Sequence, residues 1–341
     1  MTAIQHWFRP LLLLSGGSTW FLTLWQGYTV VDGLFTDDDL QPTIDSYNEL
    51  VDGIAQKLYK AGKIKNLYED HGFETRLTML EKEWEGAVVL LLKQGELTQA
   101  FRDLWSNDKL LNAVEQLLGP DIAANPIWNT RPKAPGNKET IPPIFDLESY
   151  KSMIITAWIP LVDTNKDNGC MHVVAGAHRK GLVATHKMFA DTLFYVLIDD
   201  KEIENTLGVD VKTNKRLVEI PKGSVLFFNN LLPHGSDPNI SNGIRWAMDL
   251  RFQRPDKPFG FWELKQGLTL RSSKDPLLKP DWDAFCVQDR YKLLKQFEKE
   301  KTGETEKEMD PLDTTITAPH FEKWEIIGTN KHLETYFNKK K

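Results

Sequence analysis

The sequence predicts a mainly β domain with flanking α-helices, and three observations carry that expectation. Between Ile244 and Gln253, Ile244, Trp246, Met248, Leu250 and Phe252 alternate with Arg245, Ala247, Asp249, Arg251 and Gln253. That period of two gives a strand with one apolar and one polar face. From Ile127 onward, short apolar runs are separated by turn residues, as in a sandwich or barrel. Before Ile127, apolar residues recur at spacings of three and four, the period of amphipathic helices. Helices packed on the apolar face of the sheet account for all three. A chain of 341 residues, 41% hydrophobic and 26% charged, is long enough to bury such a core without disulfides or a structural metal.

Taken in order, residues 1–26 form a leader. Pro10 to Trp25 is nearly uncharged but shorter than the ~20 apolar residues that cross a bilayer. Its run Leu11 to Leu14 is broken by Ser15, Gly16 and Gly17 before it reaches the length of a secretory signal. The expectation is no stable membrane insertion and a cytoplasmic protein, with secretion through residues 1–26 as the alternative. Thr29 to Val31 reads as a strand. Thr36 with Asp39 three residues on resembles a capping box, and Leu40, Ile44, Tyr47, Val51, Ile54 and Leu58 form the buried stripe of the helix it starts. Pro42 argues that the regular helix begins near it. A second helix is expected over Leu97 to Leu118, stopped by Gly119-Pro120. Strands follow at Met153 to Val162, Cys170 to Val174 after the Asn168-Gly169 turn, Ser224 to Asn229 after Pro221-Lys222-Gly223, and Ile244 to Gln253. Gln296 to Asp310 is highly charged, and Phe321, Trp324 and Ile326 are candidates to dock the tail on the body. No internal repeat is visible.

Charge and cysteine content restrict partners. Forty-two Lys and Arg against 48 Asp and Glu leave a net charge of −6, without the basic surplus of a protein that follows phosphate backbones, so nucleic acid is not an expected partner. Two cysteines, Cys170 and Cys286, provide neither a disulfide scaffold nor a thiolate zinc site, which fits a reducing compartment.

Candidate chemistry centres on His234, at the end of a hydrophobic run in Leu231-Leu232-Pro233-His234-Gly235-Ser236. Taken alone, it is either a capped surface histidine or an imidazole projecting into a barrel mouth toward a metal. Arg245, eleven residues on, lies on the polar face of the next strand. A guanidinium held in a sheet needs an anion, and its fork matches a carboxylate. Asp249 and Arg251 share that face, either lining the deeper pocket or forming a structural ion pair.

The segments ITAWIPLVDTNKDNGCMHVVAGAHR (Ile155 to Arg179) and GSVLFFNNLLPHGSDPNISNGIRWAMDLRFQRP (Gly223 to Pro255) resemble the phytanoyl-CoA dioxygenase family of iron(II)/2-oxoglutarate oxygenases. The resemblance implies a double-stranded β-helix, the cupin-like jelly roll, over residues 27–285, followed by a charged tail over 286–341. It implies Fe(II) and 2-oxoglutarate as cofactors and a small-molecule substrate that is hydroxylated with release of succinate and CO2. By position, His234 matches the distal iron-binding histidine and Arg245 the arginine gripping the distal carboxylate of 2-oxoglutarate. Ser236 and Trp158 match residues lining the same pocket. Two histidines and a carboxylate on one face of iron leave the other positions for cosubstrate and O2.

The family's His-x-Asp pair, which supplies the other two ligands ahead of the TAWIPL strand, has no counterpart. Glu139 to Tyr150 reads ETIPPIFDLESY, and no histidine occurs between His71 and His172. Asp146 or Glu148 could serve as a lone carboxylate. His320-Phe321-Glu322 and His332-Leu333-Glu334 have the spacing but follow His234 in the tail, where surface pairs are expected. His71 is expected at a helix end, and His172 and His178 in structural roles. Two functional readings result: an iron/2-oxoglutarate dioxygenase, or a jelly-roll pseudoenzyme that binds 2-oxoglutarate or another carboxylate at Arg245 without turnover. A third, a sugar or small-ligand binder using Trp128 and Trp158 as platforms, competes with both tryptophans being core.

Overall fold

The computed structural model describes residues 25–93, 97–136, 152–190, 194–259, 265–288 and 310–315, together with 293, 296 and 325–326. The leader other than Trp25 and Gln26, the ETIPPIFDLESY segment, His320, His332, Phe321 and Trp324 lie outside the described residues. Strands β1 (Tyr28–Val31), β2 (Ile122–Ala124), β3 (Asn129–Thr130), β4 (Ile155–Pro160), β9 (Val225–Asn229), β11 (Ala247–Gln253) and β12 (Leu268–Arg271) form a major sheet, in the order β1-β9-β4-β11-β2-β12 with β3 also on β11. A minor sheet, β10-β5-β8, joins β5 (Met171–Val174), β8 (Lys215–Val218) and β10 (His234–Ser236). A third small sheet pairs β6 (Lys187–Ala190) with β7 (Phe194–Leu197) and, in parallel, with β13 (Glu325–Ile326). Part of the tail thus does return to the body.

Helices cover the outer face of the major sheet. The long α1 (Asp37–Lys60) is followed by α2 (Arg76–Glu83), α3 (Ala87–Lys93), α4 (Gln99–Trp105) and α5 (Asp108–Leu118). Beyond the first strands of the barrel come α6 (Asp200–Leu207), α7 (Val211–Asn214) and α8 (Trp282–Val287). The expected capping box is present: Asp39 N–H donates to Thr36 Oγ1 at 3.3 Å and Thr36 N–H to Asp39 Oδ2 at 2.7 Å. Pro42 lies inside α1 rather than at its start. The bond it cannot donate would have gone to Asp38, whose residue is exposed in the first turn, where the carbonyl is open to solvent.

The single helix expected over Leu97 to Leu118 is two. Ser106 ends α4 with its Oγ donating to the Arg102 carbonyl at 2.6 Å, and the Asn107 side chain accepts from Lys109 N–H at 2.9 Å as the cap of α5. Ser and Asn compete with helical backbone bonds locally, which is why they favour such breaks. The Ile244 to Gln253 strand also starts later than expected. Its ladder begins at Ala247, while Arg245 joins by an isolated bridge to Lys133.

Strand β11 shows how the layers form. Ile244, Trp246, Met248, Leu250 and Phe252 pack in one cluster with Leu40, Tyr47, Ile54, Phe101 and Trp105 of the helices. Trp246 stacks on Phe73 at 4.8 Å and donates its indole N–H to the Phe73 carbonyl at 2.9 Å. Across the sheet, Ala247 belongs to an interior cluster with Trp158, Leu226 and Phe228 of the major sheet and Met171, Val173 and Val218 of the minor one. The two sheets therefore face each other as a jelly roll. Trp128 is core on the helix side and Trp158 core on the barrel side. No described helix is long and apolar enough to cross a membrane.

Candidate functional site

The minor sheet aims two of the expected residues inward. His234 pairs with Val173 and Ser236 with Met171, so both point to the side on which Met171 and Val173 pack against Trp158. His234 Nδ1 lies 2.8 Å from the Leu232 carbonyl. A carbonyl only accepts, so Nδ1 carries the hydrogen and Nε2 keeps the lone pair a metal would use. The ring rests on Phe228 at a centroid separation of 4.3 Å. Burial pushes its pKa down to about 4, so the imidazole is neutral at pH 7.

The major sheet contributes Arg245 and Trp158. Arg245 is 3% exposed, with its guanidinium 5.3 Å over the Trp158 ring. Nε donates to the Gly169 carbonyl at 3.3 Å and Nη1 to the Arg131 carbonyl at 3.5 Å, and no carboxylate pairs with it among the described residues. Burial lowers its pKa to about 10, which leaves it charged at pH 7. Gly169, at φ +77°, is required here. A Cβ would come within 2.4 Å of the Asp237 carbonyl oxygen and 2.9 Å of Lys133 Cε.

Lys133 was not among the expected site residues. It is 4% exposed and its Nζ donates to Ser236 Oγ at 3.0 Å, beside the Arg245 bridge. Arg131, two residues earlier and in phase with it, donates Nε–H to Asp249 Oδ2 at 2.7 Å. The alternation Asn129, Arg131, Lys133 was the signal that could have exposed both. Asp249 also accepts from Arg251 at 3.4 Å, and Arg251 donates to the Ile127 carbonyl at 3.0 Å. Burial opposes the Asp249 charge, yet Arg131 and Arg251 outweigh it and hold the carboxyl below its usual range. Of the two roles open to Asp249 and Arg251, the ion pair is therefore present, inside the barrel.

The other described histidines do not join His234. His172, opposite Gly235, points to the outside of the minor sheet and bonds Asp237 at 2.8 Å. His178 sits in a 3₁₀ turn, His186 is buried near Leu231 and Leu232, and His71 packs edge-on to Tyr68 just ahead of α2. A cleft of about 720 Å³ runs along the outside of the minor sheet, reaching from His172 and Lys215 to His234.

No group of three His, Cys, Asp or Glu side chains converges as a metal site among the described residues. The carboxylate acting on His234, Asp249, is committed to two guanidiniums, which themselves oppose a cation there. This donor set does not fit iron(II). A carboxylate cosubstrate does fit, because Arg245 is a buried cation that forms no ion pair with a described carboxylate, Asp249 acting on it without direct contact.

An antiparallel jelly roll with helices packed on its major sheet is the cupin-like fold found in non-heme oxygenases. The model of the phytanoyl-CoA dioxygenase family matches residues 25–247, and the chain belongs to that family. Human peroxisomal phytanoyl-CoA dioxygenase is 29% identical over 161 residues, 43% of this chain and 44% of that protein. The 1-deoxypentalenic acid 11-beta-hydroxylase of Streptomyces exfoliatus is 27% identical over 178 residues, 47% and 59% of the two chains. The chain thus spans about half the length of these relatives. The non-heme monooxygenase ThoJ in its apo form superposes with a TM-score of 0.51 at 15% identity, covering 82% of this chain and 98% of that one, a likeness of fold.

Proposed function

We propose that this family member binds 2-oxoglutarate or a similar dicarboxylate inside the barrel, anchored by Arg245 with Ser236 and Trp158, and does not turn it over. The observation that carries this reading is the Arg245 guanidinium, only 3% exposed and with no carboxylate partner among the described residues. Removing such a charge from water is costly unless an anion joins it. The sequence supports the second half, since the stretch that should hold the His-x-Asp pair has no histidine. The test is thermal unfolding with and without 2-oxoglutarate in the presence of a chelator. The ligand raises the melting temperature of the native protein, and Arg245→Ala removes the shift; an undiminished shift in the variant contradicts the reading.

One observation favours a second reading, a turnover-competent iron/2-oxoglutarate dioxygenase acting on a small organic substrate: His234 Nε2 is oriented for a metal by the Leu232 carbonyl on Nδ1. Succinate release under iron(II), 2-oxoglutarate and air supports this reading, and its absence rejects it. The two free cysteines are consistent with a cytoplasmic setting. We take residues 27–285 as the domain and 286–341 as its charged tail.

A further inference from the structure

On the reading above, Arg245 takes one end of a dicarboxylate, and the fate of the other end is open in a barrel whose described donors do not fit iron. Arg131 projects from the segment facing β11. Its backbone N–H donates to the Ala247 carbonyl at 2.8 Å, one rung along from the Lys133–Arg245 bridge. Its Nε is committed to Asp249 at 2.7 Å, which fixes the guanidinium plane. Its terminal nitrogens make no hydrogen bond to another described side chain, and 23% of the side chain is exposed. Asp249 positions this second guanidinium as a tether positions a clamp.

Arg131 lies opposite Ala247, two residues along the chain from Arg245, so both arginines stand on the same face of this wall of the barrel. An extended five-carbon diacid carries its carboxyl carbons about 5 Å apart. The charge suits a diacid. Among the described residues, the carboxylate near both Arg131 and Arg245 is Asp249, which is ion-paired with Arg131 and also bonded by Arg251. A divalent cation placed beside His234 meets Arg131 and Arg251, whereas a carboxylate there is attracted to both.

We propose that the pocket clamps a five-carbon dicarboxylate between two arginines, one carboxylate on Arg245 and the other on the terminal nitrogens of Arg131, so that binding requires neither a metal nor the 2-oxo group. This rests on the reading of Arg245 as the carboxylate anchor and adds the second anchor and the indifference to the ketone. In the family's metal-dependent mode the 2-oxo group is a ligand, so a diacid without it binds poorly. In the clamp it contributes little.

The test is calorimetric titration of the full chain, stripped with a chelator, using 2-oxoglutarate, glutarate and the monoacid pentanoate. Glutarate and 2-oxoglutarate are expected to bind within about threefold of each other, and pentanoate roughly tenfold or more weaker, the value of one charge-assisted contact. Adding manganese(II) leaves the diacid affinities unchanged. Arg131→Gln brings both diacids to the level of pentanoate without altering pentanoate. Binding of 2-oxoglutarate that depends on manganese, or far exceeds that of glutarate, overturns the clamp while the Arg245 anchor stands. So does diacid binding unaffected by Arg131→Gln. If that variant does not fold, the native protein's ranking of the three ligands decides, with Arg131→Lys as the second variant. Full diacid affinity in Arg245→Gln instead defeats the anchor reading itself.

Discussion

The two faces of β11 obey different rules. Toward the helices, Trp246, Met248, Leu250 and Phe252 fill space, and almost any neighbour that excludes water serves them. Toward the barrel, Arg245, Asp249 and Arg251 are equally buried, but each is stable there only through particular partners. The first face makes the fold and the second restricts what the fold can hold. Because the two share one strand, substitutions a single residue apart separate stability from binding.

The largest effect is expected on the helix face. Trp246→Ala removes the stacking on Phe73 and its hydrogen bond, and costs about 3–5 kcal/mol in denaturant unfolding. Asp249→Ala comes next. It leaves Arg131 and Arg251 without their buried counter-charge, with a loss of roughly 3 kcal/mol. Arg245→Met behaves in the opposite sense. With no carboxylate to lose among the described residues, the unliganded protein keeps or gains about 1 kcal/mol, while the melting shift caused by 2-oxoglutarate disappears. Ready unfolding of the Arg245→Met variant would erase the distinction between the faces.

The smallest effect lies far from both. Thr36→Ala removes the α1 cap and costs about 1 kcal/mol. Hydrogen bonds from Lys109 and from Thr36 hold the Asp39 carboxyl at about 2, below its ordinary 3.8. A lowered folded-state pKa stabilises the protein above the ordinary value, and that contribution is lost as pH falls from about 4 toward 2. Acid titration of Asp39→Asn against the native protein checks the sign, since the variant lacks this part of the acid sensitivity.

Legibility in the sequence follows the same division. Period-two alternation exposed β11, and the three-four spacing with Thr36 and Asp39 exposed α1, because both patterns are local. The short helices α2 and α3 carry few repeats, and they were not foreseen. The break at Ser106-Asn107 was missed because the apolar spacing continues across it while only side-chain capping interrupts the backbone. At the site, His234, Ser236, Arg245 and Trp158 were recognisable as motif residues, and the structure brings them to the inner side of the barrel. Arg131 and Lys133 left only the faint alternation with Asn129, because their importance comes from pairings with Asp249 and Ser236 more than a hundred residues away. A buried charge network is a property of the folded register, and no window along the chain contains it.

The central claim is that the cosubstrate end of the pocket persists without a competent iron face. Anaerobic titration of the protein with 2-oxoglutarate and then iron(II), followed by visible absorption and by succinate formation on admission of air, tests it most directly. The account predicts that 2-oxoglutarate binds before any iron is added, that no metal-to-ligand charge-transfer band develops, and that no succinate forms. A charge-transfer band that grows with iron(II), followed by succinate on exposure to air, would contradict it.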